Sequence, residues 1–383
     1  MDQLLPSGLR AAGLSAGIKK RSAPDLALLT ADEPVPAAAV FTRSLLLGAH
    51  VPVCRAKLER TGGRVRAVLV NAGNANCSTG AAGREDNERV AAALAGRLGC
   101  SADEVLFLST GVIGARLPMD KVLAGLEPLV EAARPEGLAD FSRAIMTTDT
   151  RPKVECALEG GATLVGAAKG SGMIHPDMAT MLGFLATDGD LGPEPAALLR
   201  RVVDRSFHRT TVDGDTSPND TVLLLGTGRS GVAVDEAALT GVAQRLARAI
   251  AADGEGATRL VTVRVAGAPD EAAATQVGRT IATSPLVKTA IAGRDPNWGR
   301  VVAAAARAGV PFDPEAATLD VGPARVYTRG VPHPEAEEAA WKHLAEQAEV
   351  ELCLDLGAGA AEAAVWTCDL TSEYVRINAE YRT

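Results

Sequence analysis

Thr180 lies in a stretch that combines a possible nucleophile with turn-forming residues, KGSGMIHPDMATMLGFLATD over residues 169–188. A threonine hydroxyl is a poor nucleophile unless a base accepts its proton. Cleavage of the chain at the nitrogen of Thr180 would free an α-amine on the same residue, and this amine can act as the base. Pro176 and Asp177 predict a turn just before this position. The residues therefore raise the hypothesis that Thr180 is a nucleophile whose base is its own α-amine, freed by a cut at its nitrogen.

Two further segments offer groups that an acyl-transfer site needs. Thr110 and Gly111 follow an apolar strand and present a hydroxyl and a glycine N–H, the two donors that an oxyanion hole requires. A plain strand-to-loop turn explains the same residues, and the sequence leaves both interpretations open. Lys169 precedes two glycines but lacks the Walker order of a phosphate loop. This pattern indicates a positive group above a pocket floored by backbone, with a solvated lysine in a turn as the alternative.

Polar clusters elsewhere favour an amino-acid pocket over a metal or cofactor site. Residues 147–150 (TTDT) and 253–256 (DGEG) together provide donors and an acid for the carboxylate and ammonium of an amino acid.

Residues 213–220 lack the spacing of a calcium loop and indicate an ordered turn near the site. Residues 226–231 match GxGxxG but lead into a strand-like run instead of a helix. The six cysteines form no CxxC pair and the five histidines are scattered, so we expect no metal and no cofactor.

Composition excludes several classes of protein. The chain has 383 residues, enough for two domains, and 47% of them are hydrophobic. A net charge of -8 without a run of basic residues argues against a nucleic-acid-binding protein. No apolar run is long enough to cross a bilayer, and the N-terminal residues lack the apolar region of a signal peptide. We therefore expect a cytoplasmic protein that binds neither nucleic acid nor membrane.

Apolar periodicity predicts the elements that position these groups. Predicted strands cover Asp25–Leu29, Ala38–Thr42, Val65–Val70, Val105–Leu108, Thr221–Leu225, residues 261–265, Val350–Leu356 and Ala363–Asp369. Predicted helices cover Asp86–Leu98, a segment after Pro118, Pro195–Phe207, Asp235–Ala252 and Pro334–Ala348. This alternation is typical of an α/β or α+β fold with layered sheets. The boundary of a smaller C-terminal domain is expected near Ser284.

The block from Lys169 to Asp188 closely resembles the self-processing segment of the ornithine acetyltransferase family, also called glutamate N-acetyltransferase. Other motifs agree with this family in the same order and extend the resemblance over essentially the whole chain. They are NAGNAN at 71–76, STGVIG at 109–114, IMTTDT at 145–150, VDGDTSPNDT at 212–221, DGEGATRL at 253–260, SPLVKTA at 284–290, DPNWGR at 295–300 and RINAEYRT at the C-terminus. The central block is highly specific, whereas MTTDT or DGEG alone would not be.

The resemblance implies an enzyme of the cyclic arginine pathway that cleaves itself between Ala179 and Thr180. Residues 1–179 would form an α chain and residues 180–383 a β chain, with about 284–383 as the smaller C-terminal domain. It also implies an αββα-type sandwich and a dimer of αβ units, that is, an α2β2 heterotetramer. Thr180 would be the catalytic nucleophile, and Thr110 and Gly111 would form the oxyanion hole. The implied substrate contacts are Thr147 (or Thr148), Lys169, Thr180, Glu255, Asn378 and Thr383.

The implied reaction moves an acetyl group from N2-acetyl-L-ornithine to L-glutamate without a cofactor. Some family members also use acetyl-CoA as the acetyl donor, and no residue of this chain decides that point. An amidase or aminopeptidase on the same scaffold is the nearest alternative, since water would then replace glutamate as the acceptor. A related acyltransferase of a specialised pathway is another. A binding protein without cleavage is disfavoured by the intact Ala179-Thr180 pair.

Overall fold

The structure is a computed structural model that describes residues 4–175 and 181–380. The strands are β1 (Leu9–Leu14), β2 (Leu26–Phe41), β3 (Arg64–Asn74), β4 (Val105–Val112), β5 (Lys153–Glu159), β6 (Ala162–Lys169), β7 (Leu182–Thr187), β8 (Thr221–Gly226), β9 (Leu260–Ala268), β10 (Thr318–Val321), β11 (Ala324–Thr328), β12 (Val331–Pro332), β13 (Glu349–Asp355) and β14 (Ala361–Cys368).

The helices are α1 (His50–Arg60), α2 (Gly80–Leu98), α3 (Met119–Glu131), α4 (Leu138–Ala144), α5 (Pro195–Asp204), α6 (Glu236–Ala252), α7 (Glu271–Ala282), α8 (Pro285–Ala292), α9 (Trp298–Ala306), α10 (Glu337–Glu346) and α11 (Ser372–Glu380). In the described ranges, no helix is long and apolar enough to cross a membrane.

The long strand β2 joins two half-sheets. Its first half pairs with β1 and β3, and its second half pairs with β8. The strand order is β4-β3-β2-β8-β7-β6-β5, with β1 beside β2. The register shifts between Thr30 and Val35, where the exposed residues Asp32 and Glu33 interrupt the apolar run. This interruption explains why the sequence predicted two strands, Asp25–Leu29 and Ala38–Thr42, where the structure has one.

Three apolar layers show that the two half-sheets pack face to face between helices. Side chains on alternate positions of a strand point to opposite faces. In β3, Val68 and Val70 belong to the central layer, which also contains Phe184 and Leu223 from the other half-sheet. The opposite face of β3 packs Leu69 against α2 and α3. The opposite faces of β7 and β8 pack against α5 and α6. The expected αββα-type sandwich is confirmed.

A second sheet forms its own core in the C-terminal part of the chain. Its order is β12-β11-β10-β13-β9-β14, and its apolar side chains pack against α7, α8, α9 and α10. Strand β9 begins this unit at Leu260, and Val261, Val263 and Val265 are buried in its core. The expected boundary near Ser284 therefore lies inside the unit. The alternating pattern of β9 predicted a strand correctly, but a strand pattern does not tell which sheet a strand joins.

Candidate active site

One pocket lies where strand ends and loops of the sandwich meet helix α11. It is lined by Ala75, Thr110, Gly111, Ile113, Thr147, Thr148, Lys169, Gly172, Met173, Asp213, Asp215, Ser217, Pro218, Asn219, Glu255, Tyr374 and Asn378. Six positions at which the sequence predicted function are thus brought together: Thr110, Gly111, Thr147, Lys169, Glu255 and Asn378. Ala179, Thr180 and Thr383 lie outside the described residues, so their predicted roles stay predictions.

The end of β4 supplies the Thr110-Gly111 pair. Gly111 lies opposite Gly73 of the parallel strand β3 and has φ +131°, a conformation that side-chain-bearing residues rarely adopt. A Cβ at this position would collide with the backbone of Gly73. Glycine is therefore required here for the two strand ends to approach each other. Thr110 is 3% exposed and lines the pocket beside Gly111.

Lys169 ends β6 and reaches Thr110 from the other half-sheet. It is 2% exposed, and its Nζ donates to Thr110 Oγ1 over 3.2 Å. Because the ammonium donates to that oxygen, the Thr110 O–H remains available to donate to another acceptor. Burial lowers the pKa of Lys169, and the nearby carboxylates of Asp149, Asp220 and Glu255 oppose this shift. The contact therefore favours Thr110 as a hydrogen-bond donor toward the pocket.

Glu255 and Asn378 also line the pocket. Asn378 Nδ2 on α11 donates to Glu255 Oε2 over 2.9 Å, and the Glu255 N–H donates to the Ser171 carbonyl over 2.8 Å. A Cβ on Gly172 would collide with the Glu255 carboxylate, so this carboxylate lies directly against bare backbone. The acid and the amide are thus presented together, as an amino-acid ligand with an ammonium and a carboxylate requires.

The turn at 213–220 holds the chain on both sides of residues 176–180. Asp213 accepts from the backbone N–H of Met173 at 2.5 Å and of Ile174 at 2.9 Å. Asp220 Oδ1 accepts from the backbone N–H of Met181 at 2.9 Å, and burial raises the pKa of Asp220 well above its ordinary value. The sequence predicted an ordered turn near the site, and the structure shows that this turn carries two of the site's main anchors.

Asn219, in the same turn, links the loops that form the pocket floor. Its Nδ2 donates to the carbonyl oxygens of Ala75 and Ser109, each at 2.7 Å, and the side chain is buried. It therefore fixes the segment just before Thr110. Sequence patterns did not single out Asn219 or Asp220. The polar run SPND was the available signal, but a run of this kind does not show where its side chains point.

Within the described ranges, no group of three or more His, Cys, Asp or Glu side chains is arranged to hold a metal ion. The GxGxxG match at 226–231 follows β8 and leads into turn residues, not into a helix. It therefore lacks the helix N-terminus that binds a pyrophosphate.

An αββα sandwich whose pocket joins a Thr-Gly donor pair, a buried lysine and an acid–amide pair is compatible with an enzyme that transfers an acyl group. The chain belongs to the ArgJ family, whose family model matches residues 10–383.

One relative matches the chain over nearly its whole length, and two solved structures each match about half of it. The chain is 49% identical over 389 residues to the arginine biosynthesis bifunctional protein ArgJ of Thermus thermophilus, covering 99% of each. The solved structure of the Bacillus halodurans bifunctional protein argJ is 38% identical, has a TM-score of 0.51, and covers 53% of this chain and 100% of its own. Ornithine acetyltransferase from Mycobacterium tuberculosis, solved in complex with ornithine, is also 38% identical, with a TM-score of 0.40, and covers 46% of this chain and 95% of its own.

Replacing Asn219 with alanine is expected to lower the free energy of unfolding by about 2–6 kcal/mol, because two buried carbonyl oxygens lose their donor at about 1–3 kcal/mol each. Denaturant unfolding measures this loss. Asn297→Ala is the matched control, since Asn297 caps the Arg300 N–H and makes one exposed bond to Asp295, and its loss should cost only about 1 kcal/mol. Equal losses in the two variants would contradict the assigned role of Asn219.

Proposed function

We propose that the protein transfers an acetyl group from N2-acetyl-L-ornithine to L-glutamate in arginine biosynthesis, through an acetyl ester on Thr180. The main support is that Asp213 and Asp220 bind the backbone on either side of residues 176–180, next to the pocket that Thr110 and Lys169 line. Acetyl transfer in arginine biosynthesis agrees with membership of the ArgJ family. The assignment of each residue to a step belongs to the proposal.

The first step is self-cleavage. The Thr180 hydroxyl attacks the Ala179 carbonyl carbon, the C–N bond breaks, and the proton lost by oxygen ends on the freed nitrogen. Water then hydrolyses the resulting ester and leaves Thr180 with a free α-amine. The α-amine has an ordinary pKa of about 8, so near neutral pH a sizeable neutral fraction can accept the hydroxyl proton.

Acetyl transfer repeats the same attack on the donor. Thr180 Oγ adds to the acetyl carbonyl carbon, and the oxyanion accepts from the Thr110 hydroxyl and the Gly111 N–H. Ornithine leaves with a proton on its α-nitrogen and the acetyl ester remains. The α-amine of glutamate then attacks the ester carbonyl and regenerates the hydroxyl. Neither half-reaction requires a cofactor.

Charges in the pocket suit both substrates. Each carries an α-carboxylate, for which the buried Lys169 ammonium is the matching group. Glu255 can accept from an ammonium, and Asn378 offers an amide that can donate or accept. Thr147 also lines the pocket and can serve as a neutral polar contact. These assignments give the pocket one cationic and one anionic end.

Coverage of the Bacillus halodurans structure supports cleavage. The match covers all of that solved chain but only 53% of this protein. Residues 180–383, the larger fragment left by cleavage before Thr180, also make up just over half of the chain. We further propose that both fragments remain associated and form an α2β2 assembly.

The description of the relatives as bifunctional favours a second activity. Formation of acetylglutamate from acetyl-CoA is the second candidate. An assay with acetyl-CoA and glutamate, without acetylornithine, tests it. An amidase activity would be recognised by its product, since hydrolysis releases free acetate whereas transfer yields acetylglutamate.

Thr180→Ala is expected to abolish both cleavage and transfer, because it removes the attacking hydroxyl. Intact-mass measurement should show two fragments that separate before Thr180 in the wild type and one full-length chain in the variant. Thr180→Ser, which keeps a hydroxyl, is the control and should still cleave. An uncleaved wild-type protein with full transfer activity would refute the cleavage scheme.

Thr110→Ala is expected to lower kcat for transfer by about 100- to 1,000-fold, with a smaller effect on KM, because the donor acts mainly in the transition state. Steady-state kinetics on fully cleaved protein measures both constants. Thr240→Ala is the control, since the buried Thr240 hydroxyl donates to the Glu236 carbonyl in α6, away from the pocket. A kcat for Thr110→Ala close to that of the control would contradict an oxyanion role.

A further inference from the structure

A buried ionic cluster lies directly behind the pocket. Lys153 Nζ is 2.6 Å from Asp149 Oδ1 and 2.6 Å from Asp253 Oδ2, and the three side chains are 1%, 0% and 4% exposed. Burying three charges costs several kcal/mol per ion unless bonds and opposite charges offset it. Apolar residues of similar volume often stabilise a fold as well as a buried ion cluster does. Stability alone therefore does not explain why charged residues occupy this position.

Asp149 differs from Asp253 in what else it contacts. Asp149 Oδ1 also accepts from the backbone N–H of Gly170 at 2.6 Å, and Oδ2 accepts from that of Thr147 at 2.9 Å. Gly170 directly follows Lys169, and Thr147 lines the pocket. Asp253 instead accepts from the backbone N–H of Thr150 at 3.1 Å and from its hydroxyl. Only the first carboxylate therefore connects the cluster to the residue beside Lys169.

The charge of Asp149 also acts on Lys169. Burial lowers the pKa of Lys169, and Asp149 is the strongest of the carboxylates that raise it again. For Asp149 itself, burial acts to raise the pKa, but the charges of Lys153 and Lys169 and the Gly170 N–H bring it down to about 2. The two lysine charges and the Gly170 N–H therefore favour the anionic form of Asp149, and this anion in turn favours the charged form of Lys169.

The charged groups that face Lys169 are few and come from several elements. Asp220 and Glu255 raise its pKa together with Asp149, whereas Lys153 lowers it. The charge of Lys19, in the loop before β2, also interacts with that of Lys169.

We propose that Asp149 is the positioning residue for Lys169: it anchors the backbone next to Lys169 and keeps the buried ammonium charged for the substrate carboxylate. Its value for catalysis rests on the proposed function, whereas its effect on Lys169 does not. A lysine is cationic below its pKa and neutral above it. Removing the Asp149 charge therefore moves the loss of the Lys169 cation to lower pH. Removing the Lys153 charge moves that loss to higher pH.

Titration of Lys169 by NMR tests this directly, using isotope-labelled lysine and Lys169→Met to assign the signal. Asp149→Asn should lower the titration midpoint by about 1 pH unit or more, and Lys153→Gln should raise it. Asp253→Asn is the matched control, because it removes a carboxylate from the same cluster that makes no bond to residue 170 or 147. The midpoint should then stay near that of the wild type.

The pH profile of kcat/KM for N-acetylornithine is the second readout. The alkaline limb should move to lower pH in Asp149→Asn, mainly through KM, and should not move in Asp253→Asn. Equal behaviour of these two variants in the NMR titration would overturn the proposal. If Asp149→Asn does not fold, an unchanged midpoint in Lys153→Gln would overturn it. A wild-type protein without transfer activity would refute the proposed function but not the effect of Asp149 on Lys169, since the NMR titration needs no activity.

Discussion

Two carboxylates from one turn fix the backbone on both sides of residues 176–180, and the pocket depends on this constraint. Asp213 binds the N–H groups of Met173 and Ile174, and Asp220 binds that of Met181. Strand β7 starts one residue after Met181 and pairs with β6, which ends at Lys169. The anchor at Asp220 therefore fixes Met181, the residue that directly follows the predicted nucleophile in the sequence. Both carboxylates are largely withdrawn from water, so their backbone bonds gain strength from the low dielectric.

The sandwich itself brings the remaining groups into reach. Thr110 lies near the end of a strand of one half-sheet and Lys169 ends a strand of the other, so the contact between their side chains bridges the two halves. Asn219 adds a second bridge through the carbonyl oxygens of Ala75 and Ser109. Behind Lys169, Asp149 joins the pocket to a buried ion cluster. Rigid packing of this kind is what a preorganised donor pair requires.

The sequence predicted the layered fold and the strands whose apolar pattern is unbroken, such as β3 and β8, but it missed several helices, among them α4 and α8. These two helices have only seven and eight residues, about two turns, so their apolar period hardly repeats. Thr110, Lys169 and Glu255 were predicted because residue types and a family resemblance pointed to them, and the structure brings them to one pocket. Asn219 and Asp149 were not predicted as anchors. The Ala75 carbonyl lies 144 residues from Asn219 in the sequence, and the Gly170 N–H lies 21 residues from Asp149. Local patterns carry no information about such contacts.

The central claim is that Thr180 carries the acetyl group between donor and acceptor. The direct measurement is the mass of each fragment after the cleaved protein is mixed with N-acetylornithine in the absence of glutamate, followed by sequencing of the modified fragment. The account predicts one added acetyl group on the fragment that begins with Thr180, located on that residue, and its loss as acetylglutamate when glutamate is added. An unmodified fragment under conditions of active transfer, or an acetyl group on another residue, would contradict the account.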